Sequence, residues 1–286
     1  MANLKEIRNR ISSVSSTMQI TSAMKMVSAA KLKKAQDAIT AMRPYADKLT
    51  ELLQNLSGSL EDVEGNKFAE NRSLEKVLLV AITSNRGLCG AFNSNILKQC
   101  NHLLGSVYEG KQVDFVAIGK KANDALAKKG TILANHSGVF DNLTFDEVSK
   151  IAEMLMERFV AGEYDKIELV YNKFKNAATQ IVMTEQFLPI LPVDEGDNAN
   201  SEYIFEPSQE EIVEQLIPKS LKTQLYKAVR DSFASEHGAR MTAMHKATDN
   251  ATELRDQLKL TYNKARQASI TNEILEIVGG AEALNN

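Results

Sequence analysis

Over residues 4–56, two sets of positions seven apart hold one register for about eight heptads. One set is Leu4, Ile11, Met18, Lys25, Leu32, Ile39, Ala46 and Leu53; the other is Ile7, Val14, Thr21, Ser28, Ala35, Met42, Leu49 and Leu56. A seam of that length commits the segment to a helix paired with another helix. At about 1.5 Å per residue it spans about 80 Å. The polar members Thr21, Lys25 and Ser28 fall within two turns, while Ile20, Met24 and Val27 put an apolar face beside them. Two readings follow: imperfect packing, or a stretch that meets a second partner as well. Pro44 lacks an amide donor and is expected to kink the helix unless neighbours compensate.

The other end of the chain has the matching pattern. Met244, Ala247, Ala251, Leu254, Leu258, Thr261, Ala265 and Ala268 alternate steps of three and four, after which Ile270, Ile274 and Ile277 follow a different stripe. The change of phase marks the place where the partner helix ends. Antiparallel pairing then sets residue i across from about 270 − i, with small Ala247 and Ala251 opposite the polar cluster. This second helix is expected to open near Ser208, after Pro207, and Pro218 to bend or interrupt its first turns.

Between the helices, short β-branched runs alternate with helical patterns. Strands are expected at 77–83, 113–119, 131–135, 167–174 and 180–187, with a helix opened by Thr144 and Glu147 as a capping box. The order implies a mostly parallel sheet covered by helices, with a final hairpin strand. The fold class is α/β: a long antiparallel coiled coil of N- and C-terminal helices with an inserted Rossmann-like α/β domain. Its divisions are 1–57 for the first helix, 75–193 for the α/β domain and 208–286 for the last helix. The stretch 194–214 carries acidic residues and no Lys or Arg, and reads as a solvated connection.

Composition narrows the function. A chain of 286 residues with 43% hydrophobic content can bury a sizeable core, and its net charge of −3, 6% aromatic content and lack of Trp argue against nucleic acid as partner. Cys89 and Cys100 fit neither a redox pair nor a zinc knuckle, which favours a reducing compartment. The start is polar, and no run of about 18 apolar residues occurs anywhere.

Candidate chemistry is sparse. The segment "TSNRGLCGAFN", Thr83 to Asn93, follows the first strand, where doubly wound sheets bind phosphates, but Gly87 and Gly90 do not make GxGxxG and no GK[ST] is present. Cys89 as nucleophile would need a base, and neither His102 nor His136 stands at a recognisable spacing. The plainer reading is a turn in which Gly87 and Gly90 supply the backbone angles, Cys89 packs, and Asn85 with Arg86 caps or meets a partner. His237 and His245 lie eight apart without HExxH or clustered carboxylates; they read as surface residues rather than a metal site. The first helix is basic, with Lys5, Arg8, Arg10, Lys25, Lys31, Lys33, Lys34, Arg43 and Lys48 against Glu6, Asp37 and Asp47. That excess is either an ordinary solvated face or an attraction for acidic protein partners.

Three segments together resemble the gamma subunits of F-type (rotary) ATP synthases: "LKEIRNRISSVSSTMQITSAMKMVSAAKLKKAQ" at the start, "RGLCGAFN" after the first strand, and "ARMTAMHKATDNATELRDQLKLTYNKARQASITNEILEIVGGAEAL" at the end. The resemblance implies a shaft rather than an enzyme, with no catalytic residue, cofactor or metal. It would stand inside three alpha and three beta subunits, with the epsilon subunit and the membrane c-ring as further partners. Membrane association would come only through those partners, at the cytoplasmic face of a bacterial plasma (inner) membrane. The start at Met1 without an Arg-rich leader looks bacterial rather than mitochondrial. By matching motif positions, Met24, Lys25, Arg240, Met241, Arg266, Gln267, Thr271, Glu273 and Glu276 would meet partner subunits, with Ile274, Ile277, Val278 and Leu284 forming an apolar shaft tip. The reading from another class is a flavodoxin-like nucleotide-binding enzyme with helical dimerisation arms, which would bind a nucleotide or flavin by itself. A third is a structural coiled-coil adaptor.

Overall fold

A computed structural model describes residues 4–60, 67–70, 72–190 and 209–285. Helix α1 spans Leu4–Leu60 and helix α5 spans Gln209–Asn285. Pro44 and Pro218 lie inside these helices and neither ends its helix, so the expected interruption at Pro218 does not occur. The acidic stretch 194–214 lies largely outside the described residues, as do Pro207 and Ser208.

The chain divides into two compact units. One comprises residues 29–240. Its five strands are β1 Lys76–Ile82, β2 Gln112–Ile118, β3 Ile132–Asn135, β4 Lys166–Phe174 and β5 Gln180–Leu188, in the order β3-β2-β1-β4-β5. The first four pair in parallel, and β5 returns antiparallel beside β4. Each expected strand is present to within about a residue at either end. The reason is chemical: β1 (KVLLVAI) and β2 (QVDFVAI) are apolar runs with both faces covered, so only their first residues reach solvent.

Alternation along β1 sends Leu78, Val80 and Ile82 to one face and Val77, Leu79 and Ala81 to the other. The first set packs against α4 (Phe145–Val160) and the α5 residues Ile217, Leu221, Leu225, Ala228 and Val229. The second packs against Ile96 and Cys100 of α2 (Phe92–His102) and Ala122 and Leu126 of α3 (Lys120–Leu126). The lower part of α5 is therefore a covering helix of the sheet, held by an apolar stripe at steps of three and four.

Helix α4 opens as half of the expected capping box. Thr144 Oγ1 accepts from the Glu147 amide at 3.4 Å, but the Glu147 carboxylate turns outward to Lys150 Nζ at 2.6 Å, and the Thr144 amide donates to the Asn142 carbonyl at 2.9 Å instead. With one long capping bond to lose, Thr144→Ala is expected to lower stability by about 0.5–1 kcal/mol, read as a shift of the urea midpoint at constant slope.

The other unit comprises residues 1–28 and 241–286. Here α1 and α5 run antiparallel. Arg8 Nη2 donates to Tyr262 Oη at 2.8 Å, Thr248 Oγ1 donates to Thr21 Oγ1 at 2.8 Å, and Lys25 Nζ lies 3.4 Å from His245 Nδ1. These partners obey the 270 − i register read from the heptads. The polar cluster is met by Thr248, whose neighbour Ala251 is buried and Ala247 half-buried.

Candidate functional site

The helix-pair unit buries little. Among its described residues, the apolar side chains buried are Ile7, Met244 and Ala251, joined by Thr21 and Ser28. Both hydroxyls stay satisfied: Thr21 Oγ1 donates to the Met18 carbonyl at 3.1 Å and Ser28 Oγ to the Met24 carbonyl at 2.8 Å. The outer surface is a different matter. Of fifteen large apolar side chains exposed in the described chain, ten belong to this unit: Ile20, Met26, Val27, Leu254, Leu260, Ile270, Ile274, Leu275, Ile277 and Val278. A unit that exposes more large apolar groups than it buries has the composition of an interaction surface.

The residues singled out from the sequence fall as follows. Met24 and Lys25 are half-buried on α1, and Met241 is half-buried on α5. Arg266, Gln267, Thr271, Glu273 and Glu276 are all exposed; Thr271 Oγ1 donates to the Gln267 carbonyl at 3.0 Å and Ser269 Oγ to Glu273 Oε1 at 3.4 Å. Ile274, Ile277 and Val278 lie in a stretch, 271–281, in which every residue is exposed, while the Leu284 side chain is outside the described ones. Residues 271–281 continue α5 beyond the point where the register supplies an α1 residue to face them. Arg240 is the exception to this outward set. It is buried, and its guanidinium is spent inside the chain.

The α/β unit shows what Arg240 holds. The turn between β1 and α2 reverses through Leu88 at φ 62° and Gly90 at φ 59°. Gly87 is not in the left-handed region, so the sequence reading is corrected there: the strained position belongs to a leucine, and that leucine is exposed. Cys89 packs beneath with Phe92 and Ala239, within 3.2 Å of Asn93 Nδ2. The Ser84 amide donates to Asn93 Oδ1 at 3.0 Å, and Asn85 both donates to the Ser137 carbonyl at 2.8 Å and accepts from the Lys120 amide at 3.0 Å. Asn85 thus ties three loops together and needs its amide to do so. Arg240 Nη2 donates to the Arg86 carbonyl at 3.0 Å and to the Gly87 carbonyl at 3.3 Å, while Nη1 meets Glu236 Oε1 at 2.6 Å.

This part of α5 is a buried polar seam. Asp231, Ser232, Ser235, Glu236, His237 and Arg240 are all buried. Arg43 Nη2 reaches Asp231 Oδ1 at 3.3 Å and the Phe174 carbonyl at 3.2 Å, so one cation of the basic first helix is consumed within the chain. Burial pushes the carboxyls of Asp231 and Glu236 up, against the pull of Arg43 and Arg240. Sequence reasoning missed the seam, although Glu236 and Arg240 stand at the i, i+4 spacing of a helical ion pair.

His237 is buried too, which corrects its assignment to the surface; His245 is exposed. Burial first, then the charges of Arg240 and Lys31, lower the His237 pKa to about 4 from 6.5. The unfolded chain therefore takes up a proton near pH 6.5 that the folded chain refuses until about 4. The His237 contribution to stability is unchanged above 6.5, falls between 6.5 and 4 and levels below, by about 3 kcal/mol in full, while the raised carboxyls of Asp231 and Glu236 act in the opposite direction. Urea midpoints of His237→Gln should therefore gain on those of the parent chain as pH falls across that window.

Among the described residues, no group of three or more His, Cys, Asp or Glu could hold a metal ion. Both cysteines are free and buried, and burial pushes the Cys100 thiol up to about 12, far from nucleophilic use. No helix among the described residues is long and apolar enough to cross a membrane.

Comparison with known proteins places these features in a family. The ATP synthase family model matches residues 3–284. The ATP synthase gamma chain of Flavobacterium psychrophilum is 74% identical over 290 residues, covering 99% of both chains. That of Flavobacterium johnsoniae is 73% identical over the whole of both. Among solved structures, the central stalk and c-ring assembly of the Tetrahymena thermophila mitochondrial ATP synthase has a chain 27% identical, with TM-score 0.60, covering 80% of this chain and 99% of that one. A chain of the Euglena gracilis mitochondrial ATP synthase shares the fold, with TM-score 0.68 at 23% identity over 98% of this chain and 94% of that one. A helix-pair unit rich in exposed apolar groups and full-length likeness to these relatives lead to one conclusion: the chain belongs to the ATP synthase gamma chain family.

Proposed function

We propose that this chain is the rotating central shaft of a bacterial F-type ATP synthase, a non-catalytic subunit that couples ion flow through the membrane rotor to conformational cycling of the catalytic beta subunits. The observation that carries the reading is the helix-pair unit, which among the described residues buries the apolar side chains of Ile7, Met244 and Ala251 and exposes ten large ones, with Ile274, Leu275, Ile277 and Val278 beyond the end of the pair. Such a pair is suited to a sleeve of surrounding subunits. Apolar contact is non-directional and gives little preference for angle. Polar groups such as Arg266, Gln267, Thr271, Glu273 and Glu276 make bonds that break and re-form at each step. Each shaft orientation then differs in contact energy with open and closed beta conformations, which is what shifts their populations.

In this reading three alpha and three beta subunits surround the helix pair of residues 1–28 and 241–286, Met24, Lys25 and Met241 meet beta segments, and Ile274, Ile277, Val278 and Leu284 form the tip. The epsilon subunit and the membrane c-ring are the chain's further partners. The chain sits peripherally in the membrane-associated complex, at the cytoplasmic face of the inner membrane, held there by its partners. No nucleotide or flavin is required, which sets the reading against a flavodoxin-like enzyme.

The test is ATP hydrolysis by purified alpha and beta subunits with and without this chain at matched concentration. Sustained multi-turnover hydrolysis and a stable complex are expected only with it. A chain that neither associates with competent subunits nor alters their turnover would sink the reading.

A further inference from the structure

We infer that Arg240 is a positioning residue, which pins the turn between β1 and α2 onto helix α5 so that the α/β domain and this part of α5 move as one body. The inference rests on the rotary reading for its functional consequence but not for its geometry.

A planar guanidinium can reach two backbone acceptors on one peptide stretch and a carboxylate on its own helix together, which the point charge of a lysine cannot. Arg240 does this, with the Arg86 and Gly87 carbonyls on one side and Glu236 on the other. The turn it grips needs gripping. Leu88, between Gly87 and Cys89, sits in the left-handed region at φ 62° without the freedom of glycine, a conformation that persists only where its surroundings over-determine it.

Two further contacts fix the same six-residue stretch of α5, 235–240, to the domain. Ser235 Oγ donates to the Asn172 carbonyl at 3.0 Å, and Asn172 Nδ2 donates to the Phe92 carbonyl, where α2 begins, at 3.1 Å. At Gly238 an added Cβ would lie 3.2 Å from Ala177 Cα in the β4–β5 turn, so the helix approaches that turn closely enough that a side chain there would require the turn to give by a few tenths of an ångström. Lower on α5 the contact is mainly an apolar stripe, to which Gln224 adds bonds to Glu185 and the Gln186 carbonyl and Lys222 one to Glu153; apolar contact tolerates sliding and twisting, whereas the directional bonds of Ser235 and Arg240 do not. A joint between a turning helix and the domain it carries requires the second kind.

Cys89 is a native reporter of the turn, since it lies directly beneath it, and Cys100, fully buried on α2, is an internal control. The full-length chain would be compared with Arg240→Lys and with Arg240→Met combined with Glu236→Gln, which removes the latch without leaving a lone buried charge. Maleimide labelling of Cys89 is expected to quicken about tenfold in the double variant and less in Arg240→Lys, with Cys100 unmoved and the urea midpoint close to the parent. In the complete complex, ion pumping per ATP hydrolysed should fall in the same order. Labelling of Cys89 within twofold of the parent would overturn the inference, and so would equal acceleration of Cys100, which marks general opening. Faster Cys89 labelling with undiminished pumping per ATP would overturn the claim that the joint transmits motion. Failure of the parent chain to assemble would instead count against the shaft reading, because the labelling rates are measured on the chain alone.

Discussion

Changing Gly119 to alanine is expected to cost the α/β domain more than about 4 kcal/mol, enough to leave much of it unfolded at 25 °C. Gly119 joins β2 to α3 at φ 116°, where L side chains are rarely found, and a Cβ there would lie 2.2 Å from the Thr83 carbonyl oxygen and 2.7 Å from its carbon. Neither atom can yield cheaply. The Thr83 amide donates to the Ile118 carbonyl at 2.9 Å, and its Oγ1 accepts from the Ala122 amide at 2.8 Å inside the first turn of α3. Moving Thr83 would break both the β1–β2 ladder and the seat of α3. Gly110, at φ 76° with open space for 4 Å around the point a Cβ would occupy, isolates the backbone effect. Its alanine variant should cost about 1 kcal/mol. Urea unfolding followed by circular dichroism separates the two, and equal losses would show that the close approach to Thr83 does not matter.

Gly119 also illustrates what the sequence leaves unsaid. The strands were legible because runs such as KVLLVAI are apolar on both faces and bounded by polar residues. The helix register was legible because a heptad of fixed phase has one antiparallel solution, which Arg8 with Tyr262 and Thr21 with Thr248 obey. Local rules did not reveal that Leu88 rather than Gly87 takes the left-handed turn position, because the constraint comes from Cys89 and Arg240, the latter far away in sequence. Nor did they reveal the polar seam. In "DSFASEHGAR" His237 reads as a surface residue and Arg240 as a partner contact, yet Asp231 and Arg240 are buried because Arg43 and the carbonyls of Arg86 and Gly87 come from distant segments to meet them. The candidate interaction surface was half legible. Heptads specify the inner seam and say nothing of the outer face, so Ile20 and Val27 stood out beside the polar cluster, whereas Met26 and Leu260 did not.

The inner and outer faces of the helix pair should answer oppositely to the same charge. Ile7→Asp places a carboxylate at a buried seam position of a unit whose other buried apolar side chains, among the described residues, are Met244 and Ala251, with seam residues such as Ile11, Val14 and Leu258 only half-buried, so little core remains to hold the pair closed. The lost burial and the stranded charge together cost about 3 kcal/mol or more, which corresponds to amide exchange faster by about a hundredfold in residues 4–28 and 241–268. Strands β1 and β2, in the other unit, should keep their protection. Leu260→Asp puts the same group on a side chain already 65% exposed, so exchange in the isolated chain should not change. Its effect should appear only on mixing with alpha and beta subunits, as weaker assembly, because an aspartate would then be carried into an apolar sleeve. If Leu260→Asp loosens the isolated pair as Ile7→Asp does, Leu260 is core and its place on an exposed apolar face is wrong. If it assembles and supports hydrolysis like the parent, the outer apolar face meets water in the complex, and the shaft must be held by its polar contacts alone.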